Sequence, residues 1–338
     1  MQTPTLRDVA DAAGVHPATA SRALNPATRG LVNAETAKRV IKVADSLGYR
    51  PNPIARGLKT AKSGTVGIVI PDLTNPLFPP ILRGIEDVLE PAGYSGLIVS
   101  TDNDSDRERT LIESLRSRQV EGLVVATALL DHPLLEQLHR EGVRMVMVNR
   151  RPRDLDVSSV TPDDALGIEL AVRHLVELGH TRIAHLAGPS STSTGVARAK
   201  AFRNAVRDLG LSDEPALTRE CAAWTEQAGA AALRDLRAAG ADFTAVVASN
   251  DLIALGCYDV LAECGLHAPD DLSVVGFNGM PFLDKLAPPL TTVTIPHHRL
   301  GGEAARLLLE GITEPDRPAR SVLLPPTLVV RASTAAPR

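Results

Sequence analysis

The chain has 338 residues, enough for two or three domains, and its hydrophobic content of 44% excludes a disordered protein. The formal net charge is −4, but residues 1–62 carry ten lysines and arginines against four acidic residues, a net +6 that leaves −10 for the remainder. A basic amino-terminal segment on an acidic body predicts a polyanionic partner for that segment.

The cysteines and the apolar runs exclude secreted proteins and membrane-spanning proteins. The three cysteines have no Cys-x-x-Cys spacing, which indicates reduced thiols in a cytoplasmic protein: Cys221, Cys257 and Cys264. No apolar run approaches the ~18 residues that a membrane-spanning helix needs, and no apolar signal stretch opens the chain. We therefore expect neither secretion nor a membrane partner.

Residues 5–25 predict two short helices around a tight turn. Small and apolar residues recur in the first helix at three- and four-residue steps: Leu6, Val9, Ala10 and Ala13. Gly14 can adopt the positive φ that ends a helix, and Pro17 suits the first position of the next one. The spacing is that of a helix-turn-helix, and a plain helical hairpin packed into a core is the alternative.

The second of these helices has two different faces. Its inward face is apolar, with Ala20, Ala23 and Leu24. Its outward face is small and polar and carries one guanidinium: Ala18, Ser21, Arg22 and Asn25. A helix of this kind can lie close in a DNA major groove and bind a base edge.

A third helix is predicted over residues 34–47, after Asn33 as its N-cap and before Gly48. Its expected apolar stripe is Val40, Ile41, Ala44 and Leu47. In the following segment, residues 54–59 have room for one or two helical turns, which Gly57 weakens. The segment is either a flexible linker or a hinge that folds on DNA, with Leu58 as an apolar wedge in the minor groove.

From Thr65 onward, apolar runs of five to seven residues alternate with helical segments, as in parallel sheets covered on both faces. The predicted strands are 66–71, 96–101, 122–127, 144–149, 182–188, 245–250, 272–278 and 291–295, with short strands near 322–324 and 328–331. The predicted helices are 78–92, 106–118, 133–141, 165–178, 197–209, 226–238, 252–264 and 300–309. The alternation occurs twice, which predicts two lobes with a ligand between them at the carboxyl ends of the strands.

Motifs of catalysis are missing from the sequence. No Gly-x-Gly-x-x-Gly, phosphate-binding Gly-Lys-Ser/Thr loop, Gly-x-Ser-x-Gly elbow or His-Glu-x-x-His site is present. We therefore predict no enzyme, no catalytic residues, no cofactor and no metal site.

Ordered motifs give the chain a resemblance to a known family over nearly its whole length. They include Asp8-Val9-Ala10, Leu47-Gly48-Tyr49-Arg50-Pro51-Asn52, Ser249-Asn250-Asp251, Val274-Val275-Gly276-Phe277 and Pro288-Pro289-Leu290-Thr291-Thr292. The chain resembles the lactose-repressor/galactose-repressor family of bacterial transcription regulators. This implies an all-α helix-turn-helix head followed by a periplasmic-binding-protein-like α/β effector domain of two parallel-sheet lobes. The implied boundaries are 1–49 for the head, 50–63 for the hinge, 64–162 with 293–325 for the first lobe, and 163–292 with 326–338 for the second.

The resemblance implies a homodimer on a near-palindromic double-stranded operator. Bases would face Pro17, Ala18 and Arg22, and phosphates would face Thr19, Ser21, Asn25 and Tyr49. The full implied DNA-binding set is Thr5, Leu6, His16, Pro17, Ala18, Thr19, Ser21, Arg22, Asn25, Tyr49, Asn52, Ala55 and Leu58. The chain departs from the family pattern at His16, which is expected to cap its helix poorly, at Ala20, which loosens the small core, and at Gly57.

A small-molecule effector, a sugar or a related metabolite, is implied between the lobes. Its implied site is Phe78, Asn149, Asp163, Thr194, Arg198, Trp224, Asn250 and Asn278. Asn278 stands where the family usually has an acid, so another small polar or anionic effector stays open beside a neutral sugar. Arg198 suits either a hydroxyl pair or a carboxylate.

The function expected from this resemblance is a repressor switched by its effector. The effector would change the angle between the lobes and so favour or disfavour insertion of Leu58. No heptad tail follows Arg331, so a dimer is expected rather than a tail-linked tetramer. The alternatives are a bilobal solute-binding or sensing protein without operator control, and an α/β enzyme, which the missing motifs oppose.

Overall fold

The computed structural model describes residues 4–25, 28–50 and 63–338, and the chain divides after Ser63 into two compact units. The described part of the first unit is helical, and the second unit contains two parallel-dominated sheets with helices around them. This confirms the predicted fold class. None of the helices in the described ranges is long and apolar enough to cross a membrane.

The first unit contains α1 (Leu6–Ala12), α2 (Pro17–Leu24) and α3 (Ala34–Leu47). Thr5 caps α1 through a reciprocal pair of hydrogen bonds with Asp8, which satisfies two N–H groups that a helix start leaves unpaired. Gly48 ends α3 at φ +67°, a conformation that disfavours residues with a Cβ. The predicted elements of the head are therefore all present in the described residues.

The core of the head consists mainly of alanines: Val9, Ala10, Ala13, Ala20, Ala23, Ala37, Val40 and Ala44 are buried. The inward faces predicted for α1 and α2 are confirmed. The stripe predicted for α3 is wrong at its carboxyl end, because Leu47 is 41% exposed and Ala37 is buried instead. The buried positions follow the steps 37, 40 and 44.

The first sheet has the strand order β11-β5-β4-β3-β1-β2, and all its pairs are parallel. Its strands are β1 (Thr65–Ile70), β2 (Ser95–Ser100), β3 (Leu123–Val125), β4 (Met145–Val148), β5 (Ser158–Pro162) and β11 (Ser321–Leu324). The helices between them are α4 (Phe78–Leu89), α5 (Ser105–Ser117) and α6 (Pro133–Arg140). Ile98 of β2 is 47% exposed, so burial on both faces does not hold for this edge strand.

The second sheet has the order β12-β10-β9-β8-β6-β7, in which only the β10–β12 pair is antiparallel. Its strands are β6 (Ile183–Ala187), β7 (Thr218–Glu220), β8 (Ala245–Ala248), β9 (Ser273–Asn278), β10 (Thr291–Thr294) and β12 (Thr327–Val329). The helices are α7 (Asp164–Glu177), α8 (Ser193–Asp208), α9 (Glu226–Ala238) and α10 (Asp251–Glu263), and α11 (His297–Thr313) follows β10. The strands at 158–162 and 218–220 were not predicted.

The chain crosses between the sheets three times, after β5, β10 and β11. Val293 of β10 pairs with Phe277 of β9, so the crossing predicted at residue 293 falls inside a strand of the second sheet. We therefore propose lobes of 64–162 with 295–325 and of 163–294 with 326–338. Each lobe then contains one sheet of mainly parallel strands, and polar residues follow the carboxyl ends of several of these strands.

Helices α4 and α11 approach each other closely through glycines. A Cβ at Gly301 would lie 1.9 Å from the carbonyl oxygen of Ile81, so Gly301→Ala is expected to destabilise the protein by about 1–3 kcal/mol. Gly311 on the same helix has no atom within 4 Å of a built Cβ, so Gly311→Ala is the matched control and should be neutral or stabilising by up to ~1 kcal/mol. Urea unfolding of the two variants measures the difference, and equal stabilities would contradict the close packing.

Candidate effector cleft and DNA-binding helix

The carboxyl ends of strands from both sheets surround a cleft lined mainly by polar and aromatic side chains. Asn149 follows β4, Asn250 follows β8 and Asn278 ends β9, while Thr194 and Arg198 lie on α8. The structure brings seven of the eight residues expected for the effector site together in the lining: Phe78, Asn149, Thr194, Arg198, Trp224, Asn250 and Asn278.

Asp163, the eighth expected residue, is not among the lining residues. Its carboxylate accepts the N–H of Leu166 at 3.0 Å and caps the start of α7. The neighbouring Asp164 takes the electrostatic role instead, by pairing with Arg198 at 2.7 Å. The sequence did not distinguish these adjacent acids, because which of them turns inward depends on the direction of the first turn of α7.

Three lining residues were missed: Asn75, Leu77 and Arg150. Arg150 follows Asn149 directly at the end of β4, so the strand-end rule that pointed to Asn149 applied equally to its neighbour. A buried arginine is uncommon unless it is paired, and this general preference opposed the strand-end rule at Arg150.

Arg198 is held from three sides. Its Nε donates to Asp164 Oδ1 at 2.7 Å, and its Nη1 donates to the carbonyl of Ser249 at 2.5 Å. Its guanidinium carbon lies 3.7 Å from the ring centroid of Phe277. The side chain is only 2% exposed. Burial raises the pKa of Asp164 although Arg198 opposes that shift. Arg198 is therefore a fixed cation with its charge compensated.

Arg150 lacks the polar partners that hold Arg198. It is 7% exposed and its guanidinium carbon lies 5.6 Å from the Trp224 ring centroid. Its Nε is buried without a hydrogen-bond partner, and no ion pair to it is found in residues 4–25, 28–50 and 63–338. Burial, with a further contribution from Arg198, lowers the pKa of Arg150 to about 10, so it remains a cation at neutral pH.

Two further lining atoms are buried without a hydrogen-bond partner: Asn149 Oδ1 and Trp224 Nε1. The Trp224 ring packs on the backbone at Gly188, where a Cβ would lie 2.1 Å from the indole. Asn149 and Asn278 have φ values of +67° and +113°, which are strained for residues with a side chain. Unpaired polar atoms and local strain at one cleft are typical of a binding site.

The outward face of α2 offers one long polar side chain. Arg22 is exposed, and its guanidinium has no hydrogen bond or ion pair to another residue in the described part of the chain. Ala18 is also exposed, and Pro17, Thr19, Ser21 and Asn25 are half-buried. By contrast, Arg29 and Arg39 donate to the carbonyls of Ala23 and Ala13 at 3.1 and 3.0 Å, and so hold the ends of α2 and α1.

Several residues expected at DNA also have structural roles in the head. His16 was expected to cap poorly, but its Nδ1 accepts the N–H of Ala18 at 3.2 Å and caps α2. Leu6 and Tyr49 pack against the apolar core of the head, and burial raises the pKa of Tyr49. Thr5 uses its hydroxyl in the cap of α1. Asn52, Ala55 and Leu58 lie outside the described residues.

Comparison with known proteins agrees with this arrangement. Residues 5–52 match the profile of bacterial regulatory proteins of the lacI family, and residues 172–334 match a periplasmic binding protein-like domain. The ribose operon repressor of Halalkalibacterium halodurans is 33% identical over 330 residues, which are 98% of this chain and 97% of that protein. The transcriptional regulator MalR of Streptomyces coelicolor is 36% identical over 341 residues, again covering 98% and 97%.

The same family appears among solved structures. The crystal structure of the lac repressor dimer bound to operator and the anti-inducer ONPF matches with a TM-score of 0.88 at 28% identity, over 99% of this chain and 100% of that one. The two relatives and this solved structure, each matched over almost its entire length, are named as regulators of transcription or as repressors. This chain, with its helix-turn-helix head and bilobal α/β domain, belongs to the lacI family of bacterial regulatory proteins.

Proposed function

We propose that this regulator is a repressor that binds a near-palindromic operator as a homodimer and is switched by a small effector in the cleft. The main support for an effector comes from the cleft. Three buried polar atoms without a partner, on Asn149, Arg150 and Trp224, face one space lined by both lobes. Polar groups of this kind are costly to leave unpaired, so a bound molecule that pairs them stabilises one arrangement of the lobes.

Exposed Arg22 supports the DNA-binding half of the proposal. Bidentate donation to guanine is the commonest specific contact in the major groove, and α2 presents a guanidinium that is not used elsewhere in the described head. The matched lac repressor structure is a dimer on its operator, which supports the same assembly here. Because the proposed operator would lie on the bacterial chromosome, we expect the protein to act in the cytoplasm.

The effector would act through the lobes. A molecule that binds the protein more tightly at one angle between the lobes than at another shifts the population toward the first angle. The difference in binding free energy sets the size of this shift, and coupling free energies of about 1–3 kcal/mol are typical. In a dimer this shift would move the two segments at 50–63 relative to each other. Insertion of Leu58 into a central base step would then become more or less favourable.

Selection from random duplex DNA with the full chain tests this function. We expect enrichment of a near-palindrome, and log K for the enriched duplex should fall with log salt at a slope of about −0.9 per neutralised phosphate. The control is a scrambled duplex, in which the bases of the enriched half-sites are placed in a different order. Enrichment of no symmetric sequence, or equal affinity for the scrambled duplex, would contradict operator binding and favour the solute-binding alternative.

A further inference from the structure

The charges of the cleft are not balanced. Its polar lining consists of four amide side chains, one threonine and two arginines, without a carboxylate: Asn75, Asn149, Asn250, Asn278, Thr194, Arg150 and Arg198. Asp164 compensates Arg198 at 2.7 Å. No described carboxylate pairs with Arg150, so one buried positive charge faces the cleft uncompensated.

The other acids near the cleft do not supply the missing charge. Asp163 is turned to the start of α7. Asp251 lies behind the cleft, where it accepts the hydroxyl of Thr292 at 2.5 Å and the N–H of Met280 at 2.9 Å. Burial raises the pKa of Asp251 to about 7, although its hydrogen bonds with Thr292 and Met280 oppose that shift. The positive charge of Arg150 is therefore available to a ligand.

Burying a guanidinium without a counter-charge is unfavourable, and a neutral ligand does not remove that cost. A hydroxyl can accept from Arg150 Nε, but it leaves the charge in place. A carboxylate or phosphate oxygen accepts the same hydrogen bond and also neutralises the charge, and such bonds are about twice as strong as neutral ones. The indole N–H of Trp224 is a second unused donor beside it.

We infer that the effector carries an anionic group, a carboxylate or a phosphate, and that Arg150 binds this group. The inference deepens the proposed function, on which it rests, by naming the chemical class of the effector. Arg198, already compensated by Asp164, would bind a neutral part of the same molecule. A neutral sugar is then the disfavoured ligand.

Simple anions test the inference without knowledge of the effector. The probes are inorganic phosphate and acetate, each compared with chloride at equal ionic strength. The proteins are the full wild-type chain, Arg150→Gln and Arg151→Gln. Arg151 is the matched control, because it is the adjacent arginine, is exposed and does not line the cleft.

Two readouts apply. We expect phosphate or acetate to raise the Tm of wild type and Arg151→Gln by at least about 2 °C more than that of Arg150→Gln. Phosphate stabilises folded proteins in general, so only the difference between variants counts. Trp224 is the single tryptophan and lies in the cleft, so its fluorescence should respond to the anion in the first two proteins and not in Arg150→Gln.

The two anions also distinguish a phosphorylated effector from a carboxylic acid. A larger response to phosphate indicates a phosphorylated effector, and a larger response to acetate indicates a carboxylic acid. Equal Tm shifts and equal fluorescence in all three proteins would overturn the inference. Because Arg150→Gln removes an unpaired buried charge, its Tm without added anion should equal or exceed that of wild type, which separates loss of binding from loss of folding.

Operator binding by the ligand-free chain, measured in parallel, separates this inference from the proposed function. An Arg150-dependent response to anions with no selected operator would retain the anion site and refute the repressor. A selected operator whose affinity responds to neutral D-glucose or D-ribose, with no Arg150-dependent response to anions, would retain the repressor and refute the anionic effector.

Discussion

Arg198→Met is expected to lower the free energy of unfolding by about 3–5 kcal/mol, because it leaves the carboxylate of Asp164 buried without its partner. The carbonyl of Ser249 loses its donor in the same variant. Urea unfolding of the full chain measures the loss. Arg203→Met is the matched control, since Arg203 is an exposed arginine on the same helix and its loss should change stability by less than about 0.5 kcal/mol.

A double variant separates the charge from the packing. Adding Asp164→Leu to Arg198→Met removes the stranded carboxylate, so most of the lost stability should return. If the double variant is as unstable as the sum of the two single variants, the ion pair is not the cause. The contact of Arg198 with the Phe277 ring, which is lost in Arg198→Met and in the double variant, would then be the main contribution of Arg198 to stability.

Arg22→Ala is expected to weaken operator binding by about 1–3 kcal/mol per half-site, and twice that for a dimer on two half-sites. It should also relax the base preference at one position of each half-site, because the remaining outward residues of α2 are short. Affinities for the selected operator and for duplexes with single base changes measure both effects. Unchanged selectivity among these duplexes would exclude Arg22 as the base-binding residue.

Arg7→Ala is the control for Arg22→Ala. Arg7 is an exposed arginine on α1. Its loss removes the same charge from the head, so any effect should be uniform across sequences and accompanied by a smaller salt slope. The two variants therefore distinguish a base contact from general attraction to phosphates.

The sequence predicted those parts of the fold whose local pattern matches their final environment. The strands β3, β4 and β8 are continuous apolar runs because both faces of each are covered. The strands β5 and β7 were missed because their residues are mostly polar. β5 is stabilised by pairing with β11, more than 150 residues later in the chain, and Ser159 and Ser321 share a hydrogen bond there.

The residues of the cleft were predicted from the family resemblance, and the structure places seven of the eight in one lining. The sequence by itself determined the helix-turn-helix, the outward Arg22 and the alternating lobes, since each depends on residues near one another in the chain. Only the tertiary structure decided that Asp164 rather than Asp163 meets Arg198, and that Arg150 is left without a counter-charge. Whether a buried charge is compensated depends on which side chains meet within about 4 Å, and these come from segments that the sequence pattern does not bring together.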